Sequence, residues 1–357
     1  MANRRTDRTG RNVAAGIAVA GVVGLGLLAV PAGAGAAPVL PPVAAEELVS
    51  SVLTAEAGAF GGTVELDNGL GLPALPGVPQ AANGTSTARV WSDGEGRGRV
   101  QVPTGSGERT LVSDGETFWS WDSATRTVTK VPEGDKAHAA PEAAATDPTA
   151  AATQAIEALS ATSQISVDGT AEVAGRAAYE LVLAPAPSER TLLREVRIAV
   201  DAEKRVPLRL TVLANGSTDP VLQLGFTDLA FGAQDAKLFT FTPPAGSTVD
   251  EPQIPDGART EAKPDVVPAV VGDGWDTVVV ASMPTPAQTP APTGEDRDDQ
   301  RFGGGAMDPS ALGTPVSGAW GSGTLISTAV ANAIITDDGR VAAGAVPEQV
   351  LTEALAR

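Results

Sequence analysis

The chain has 357 residues, with 43 acidic against 25 basic side chains, one histidine, no cysteine and few aromatics (5 Trp, 1 Tyr and 7 Phe). Without cysteine there is no disulfide framework, thiolate metal site, cysteine nucleophile or lipidated N-terminal cysteine, and the lone His138 leaves no multi-histidine metal site. A net charge of −18 opposes nucleic-acid binding by phosphate neutralisation and adsorption to an anionic bilayer, so neither nucleic acid nor a membrane surface is expected as a partner.

Arg4, Arg5, Arg8 and Arg11 precede an uncharged apolar run from Val13 to Val30, and small residues follow to Ala37. This is the order of a secretory signal peptide covering residues 1–36, with Ala34-Gly35-Ala36 as the cleavage site. The mature chain is then expected to be exported, soluble and extracytoplasmic. Loss of residues 1–36 removes four arginines and Asp7, which takes the net charge from −18 to −21. The alternative is an uncleaved N-terminal membrane anchor, for which an Ala- and Gly-rich run of this length is short.

After Pro41-Pro42, Glu46 and Glu47 mark the start of a helix, and Leu48, Val49, Val52, Leu53 and Phe60 give it one apolar stripe. Gly61 and Gly62 are expected to stop it, with Thr63 to Asp67 as a strand and Leu70 to Gly84 as a loop. From Ser86 to Val131 short alternating segments separated by glycine-bearing turns predict an antiparallel meander. Residues 132–146, which contain His138, read as a linker-like loop in which nothing would position a catalytic histidine. Asp147-Pro148 is a cap followed by Pro at the first helical position, and Ala152, Ala155, Ile156 and Leu159 form the stripe of a second helix.

A second meander begins at Gln164. Tyr179, Leu181 and Leu183 share a face of one strand, Val196, Ile198 and Val200 of another, and the period of two means one buried and one wet face. Beyond residue 250 the composition turns polar and proline-rich. Residues 251–317 are expected to be mostly linker with one strand near 276–281, and 318–357 a hairpin, turning at Asp337 to Arg340, with a short terminal helix. The acidic runs Glu295 to Asp299 and Asp337-Asp338 lack the ligand spacing of a calcium loop, so no metal or other cofactor is expected.

Three segments carry a family resemblance. Ser113-Asp114-Gly115-Glu116-Thr117-Phe118-Trp119-Ser120-Trp121-Asp122 resembles a "DGxxxWxYD" strand of LolA-like lipoprotein carriers, with Trp121 where Tyr is usual. Leu238 to Asp250 is similar to their "FxFxPPxGxxV" ending, in which Phe239 and Phe241 are spaced to point to one face of a last barrel strand ended by Pro243 and Pro244, and Gly175, Tyr179, Leu181 and Pro185 fit a hairpin of that group and its RseB/MucB relatives. In this order they resemble the superfamily over about residues 44–250, and the tail around Thr336 to Val346 resembles that of actinobacterial LolA-like proteins. The resemblance implies a mainly β (α+β) fold: a strongly curved antiparallel sheet forming an unclosed β-barrel over residues 37–250, with helices across its concave face.

It also implies a non-enzymatic, monomeric binding protein that holds a lipid, or the acyl chains of a lipoprotein, as carrier or chaperone. The alternative it implies is an RseB-like regulator that binds the exported domain of a membrane protein such as an anti-sigma factor. Candidate contacts with a hydrophobic ligand are Trp91, Trp119 and Trp121 on the first meander, Leu48, Val52 and Leu53 on the first helix, and Tyr179 and Leu181 on the second meander. Each of these also has a plain reading as core packing. In strand 117–122, Trp119 and Trp121 share one face and Phe118 takes the other, so only one of the two sets faces a cavity.

Overall fold

A computed structural model describes residues 37–70, 84–132, 146–252, 269–282 and 313–357. The signal-peptide reading of residues 1–36, most of the 70–84 and 132–146 loops with His138, and the Glu295 to Asp299 run lie outside the described residues.

Helix α1 (Ala45–Thr54) has Glu46 and Glu47 in its first turn, where the dipole favours them, and buries Leu48 and Val52. It ends before Phe60, because Ala55 is already extended and Gly58 takes a left-handed φ of 65°. Phe60 instead opens β1 (Phe60–Asn68), so it is a strand residue and not the end of the helical stripe. The glycines expected to stop the helix lie inside this strand and allow close approach. A Cβ on Gly61 would lie 2.7 Å from Trp91 Cδ1, and one on Gly62 would lie 2.5 Å from the Asp228 carbonyl oxygen.

The first meander continues through β2 (Gly84–Ser92), β3 (Gly98–Thr104), β4 (Gly107–Ser113), β5 (Thr117–Asp122) and β6 (Thr127–Pro132). After α2 (Pro148–Leu159) the second runs through β7 (Ser163–Val173), β8 (Arg176–Pro185), β9 (Leu193–Asp201), β10 (Pro207–Ala214) and β11 (Pro220–Phe231). The two join where β1 pairs with β11, and β12 (Thr248–Asp250) adds to β6 in parallel. The result is one twelve-stranded, curved sheet in the order β12-β6-β5-β4-β3-β2-β1-β11-β10-β9-β8-β7, which does not close into a barrel. Strand register sorts its side chains onto two faces. Val90, Val100 and Leu111 lie in one row on the helix-covered face, while Trp91, Arg99, Val112 and Trp119 lie in a row on the reverse face.

Residues 232–247 depart from the strand expected at Phe239 and Phe241. Ala236–Phe239 is a short 3-10 turn, and the segment straps across the reverse face of the first meander. Arg99 Nη1 donates to the Leu238 carbonyl, the Phe239 ring lies 5.6 Å from the Arg97 guanidinium, and the Phe241 ring lies 5.6 Å from that of Trp119. Arg126 donates to the Ala245 carbonyl just before β12 joins the edge. Val112, Val128 and Phe239 are consequently buried on this side.

The C-terminal hairpin is the middle of a larger sheet. Strands β13 (Ala269–Val271), β14 (Val278–Ser282), β15 (Thr314–Gly318), β16 (Gly321–Ser327), β17 (Asn332–Thr336) and β18 (Arg340–Gly344) pair in the order β13-β14-β18-β17-β16-β15. Helix α3 (Glu348–Leu355) packs Val350, Leu351, Ala354 and Leu355 against Val278, Ile334 and Ala342. This sheet docks on the large one. The N–H of Leu192 and the hydroxyl of Thr191 donate to the Ala345 carbonyl, and Arg190 pairs with Glu353 at 2.8 Å. Trp275, in the turn between β13 and β14, inserts into the core beneath α1 and α2 and donates from Nε1 to Ser163 Oγ.

Candidate functional site

The helix-covered face has a filled half and a hollow half. Over β8–β10, Leu48 and Val52 of α1 and Ala152 and Ile156 of α2 press onto Tyr179, Leu181, Leu183, Val196, Ile198 and Val200. The Tyr179 hydroxyl donates to the Pro41 carbonyl, which ties down the lead into α1. Asp147 caps α2 by accepting from the N–H groups of Thr149 and Ala150, and Thr149 Oγ1 donates to the Pro207 carbonyl. This cap aims α2 along β10, so that only its first residues reach towards β1–β5.

Over β1–β5 the same face carries a half-open cavity of about 320 Å³, bordered by Phe60, Val90, Ser92, Gly98, Val100, Leu111, Ser113, Phe118, Phe226 and the start of α2 at Thr146 to Pro148, with Arg97 and Arg99 also on its border. Register explains the space. Phe60, Ser92, Gly98, Ser113 and Phe118 occupy one row across five strands, and Val90, Val100 and Leu111 the next. Three small residues between two phenylalanines leave a notch, and the second row supplies an apolar floor. Phe60 stands edge-on to Phe226, with centroids 5.8 Å apart, and closes the end towards the filled half.

Little free charge reaches this space. Asp93 accepts from the N–H groups of Glu95 and Arg97 and pairs with the Arg97 guanidinium. Burial opposes its ionisation, but those hydrogen bonds outweigh it and hold the carboxyl below its ordinary range. Asp147 is occupied by its own helix. Arg99, which also borders the cavity, donates from Nη1 to the Leu238 carbonyl on the reverse face and keeps a buried Nε with no partner among the described residues. Among the described residues no group of three or more His, Cys, Asp or Glu is placed to hold a metal ion, and no helix is long and apolar enough to cross a membrane. The chemistry on offer is non-directional apolar burial.

The residues singled out from sequence fall in different places. Trp91 borders the cavity, although its ring lies on the reverse face over Gly61. Trp119 and Trp121 share that reverse face. Trp119 packs on Phe241 and donates to Asp114, whose turn is closed by Gly115 at φ 96°. Leu48, Val52, Tyr179 and Leu181 meet in the filled half, and Leu53 is 45% exposed at the end of α1. Sequence reasoning missed the row of Phe60, Ser92, Gly98 and Ser113, because its members are one strand apart in space and dispersed along the chain. Phe118 was visible as the opposite face to Trp119, and its side is the hollow one.

Fold and cavity together define a class: a half-barrel whose curved antiparallel sheet carries helices on one face and keeps an apolar hollow beside them. Solved structures similar to this chain include MucB in the MucA/MucB complex of Pseudomonas aeruginosa, at 17% identity and a TM-score of 0.46, covering 87% of this chain and 96% of that one. A LolA superfamily protein of Nitrosomonas europaea is similar at 13% identity and a TM-score of 0.24, covering 56% and 99%. An outer membrane lipoprotein-sorting domain of Vibrio parahaemolyticus is similar at 10% identity and a TM-score of 0.22, covering 54% and 94%. No protein-family profile matches the chain, and no curated protein matches it.

Proposed function

We propose that the chain is an exported, non-catalytic binding protein that holds a lipid, or the acyl chains of a lipoprotein, and carries or chaperones it through the extracytoplasmic space. The cavity over β1–β5 supports this reading. Its floor is apolar, its neighbours Asp93, Arg97 and Asp147 are already paired, and its volume of about 320 Å³ reaches the roughly 300–1,000 Å³ range of small-molecule sites. The ligand-facing side chains on this reading are Val90, Val100, Leu111 and Phe118, with Phe60 and Phe226 at one end. Export rests on the signal-like residues 1–36, and cleavage after Ala36 would release a chain with no cysteine to carry a lipid anchor.

One observation favours a second reading, a regulator that captures the exported domain of a membrane protein. Strand β7, eleven residues long, has a paired strand on one side only among the described residues, and such an edge accepts an added strand. Native mass spectrometry of purified residues 37–357 separates the two. Co-purified lipid, lost on denaturation, is the result expected of a carrier. A chain that is empty and cannot be loaded, but forms a stable complex with a membrane-protein ectodomain, would favour the regulator and sink the carrier.

A further inference from the structure

We infer that the small sheet docks an extended, basic segment of another protein, along the edge strand β15 and into the open groove between the β15–β16 turn and α3. The inference stands apart from the cavity over β1–β5. Ser317, Gly318 and Trp320 border the groove on one side, and Glu348 and Gln349 of α3 on the other. Trp320 is only 9% exposed, and a Cβ on Gly318 would lie 2.7 Å from its Nε1. The Trp320 carbonyl accepts from Arg340 Nη2, but the indole N–H finds no acceptor among the described residues and is not sealed in. Trp119 and Trp275 donate theirs to Asp114 and Ser163, as indoles in packed surroundings do. A donor left open on an otherwise buried ring fits an acceptor that a partner brings, and a peptide carbonyl is one.

Strand β15 leads into this groove. Among the described residues it pairs with β16 alone, so its other side is an open edge. A strand tolerates proline where the missing N–H would face outward, which places the outward side at Pro315. Alternation then turns the N–H and carbonyl of Ser317 outward too, next to the groove. An added strand can pair there and carry its next carbonyl to the Trp320 N–H. Charge selects the partner. Glu348 is exposed and makes no ion pair among the described residues, whereas Glu353 is held by Arg190 at 2.8 Å. The unbalanced charge at the groove is negative, like the net −18 of the chain, and draws in lysine or arginine. A second copy is the poorer occupant, because two-fold pairing of β15 with itself brings two acidic grooves together.

The test selects a displayed library of random peptides of about nine residues, long enough to add a strand, on residues 37–357. The recovered peptides are then titrated against the chain while NMR follows its five indole N–H signals. They should carry Lys or Arg in excess and shift the signal that Trp320→Phe removes. That variant keeps an aromatic ring in place and should be as stable, yet bind about three- to tenfold more weakly, the loss of one hydrogen bond. Glu348→Gln should cost up to about fivefold and flatten the salt dependence. Recovery of no peptide, no excess of basic residues, or an unmoved Trp320 signal would overturn the inference. Equal binding by both variants and the unsubstituted chain would do the same. A Trp320 signal that moves with protein concentration alone would overturn it in favour of a second copy. Lipid in the native mass spectrum bears on none of these outcomes, so the carrier reading stands or falls separately.

Discussion

Strands β8–β10 and strands β1–β5 belong to one sheet and present the same face, yet one half is packed solid and the other is hollow. Both are lined with apolar residues at alternate positions, so hydrophobic content does not distinguish them. Cover and side-chain size do. Over β8–β10 two helices lower Leu48, Val52, Ala152 and Ile156 onto branched aliphatic residues, and Leu48, Ile156, Leu181 and Ile198 reach complete burial. Over β1–β5, among the described residues, the helical cover is the first turn of α2, and the central row is Ser92, Gly98 and Ser113. The filled half should therefore carry stability and the hollow half binding, and substitutions can separate the two.

The largest effect is expected at Trp275, which fixes the small sheet to the filled half. Trp275→Ala removes a buried ring and the hydrogen bond to Ser163, and should lower stability by about 3–5 kcal/mol in urea unfolding. A loss below about 1 kcal/mol would mean that the contacts at Ala345 and Arg190 and the packing of Val330 on Ala214 and Val221 hold the small sheet without it.

Asp201 comes next. Its fully buried carboxylate accepts from Arg176 and from the N–H groups of Glu203 and Lys204. Burial raises its pKa, but the hydrogen bonds from Arg176 and the backbone outweigh this and bring it below the ordinary 3.8. A depressed carboxyl contributes stability above the unfolded-state pKa and loses it as pH falls below that value towards the folded one. Asp201→Asn should cost about 1.5–3 kcal/mol at pH 7 and flatten the decline of the unfolding midpoint below pH 4. An unchanged pH profile would show that other turn aspartates carry the effect.

How far the sequence foretold this comparison differs between the halves. The stripes Leu48/Val52 and Ala152/Ile156, and the alternation of Val196, Ile198 and Val200 with Glu195, Arg197 and Asp201, identify the filled half, although Ala178, Val182 and Ala199 on the opposite face of β8 and β9 are buried too. In β1–β5 the strap of residues 232–247 covers the back, so Val112 and Val128 are buried there while Leu111 and Phe118 are buried in front. Alternation between two apolar faces cannot say which one is the inside. The spacing of Phe239 and Phe241 read as a strand for a related reason: one ring seats under Arg97 and the other on Trp119, contacts that local pattern does not encode. The small sheet extends beyond the expected hairpin because β13 and β15 are short strands, and because β14 finds its partner β18 far along the chain.

Trp119→Ala tests the two faces of the hollow half. It removes a half-buried ring from Phe241 and from the Asp114 turn, and should cost about 1–2 kcal/mol while ligand affinity stays unchanged. A loss of affinity without a loss of stability would place the ligand on the strap side and reverse the assignment of the faces.

The smallest effect is expected at Leu53, which tests whether the covering helix contributes to binding. Its neighbour Val52 is buried in the filled half, but Leu53 is 45% exposed on the last turn of α1. Leucine and alanine are both strong helix formers, so Leu53→Ala should alter stability by less than about 0.5 kcal/mol and leave ligand affinity as it is. If affinity fell while the unfolding midpoint stayed put, α1 would have to be a lid whose exposed leucine meets the ligand. The filled half would then be a binding surface as well, and the division between packed and hollow halves would no longer divide stability from function.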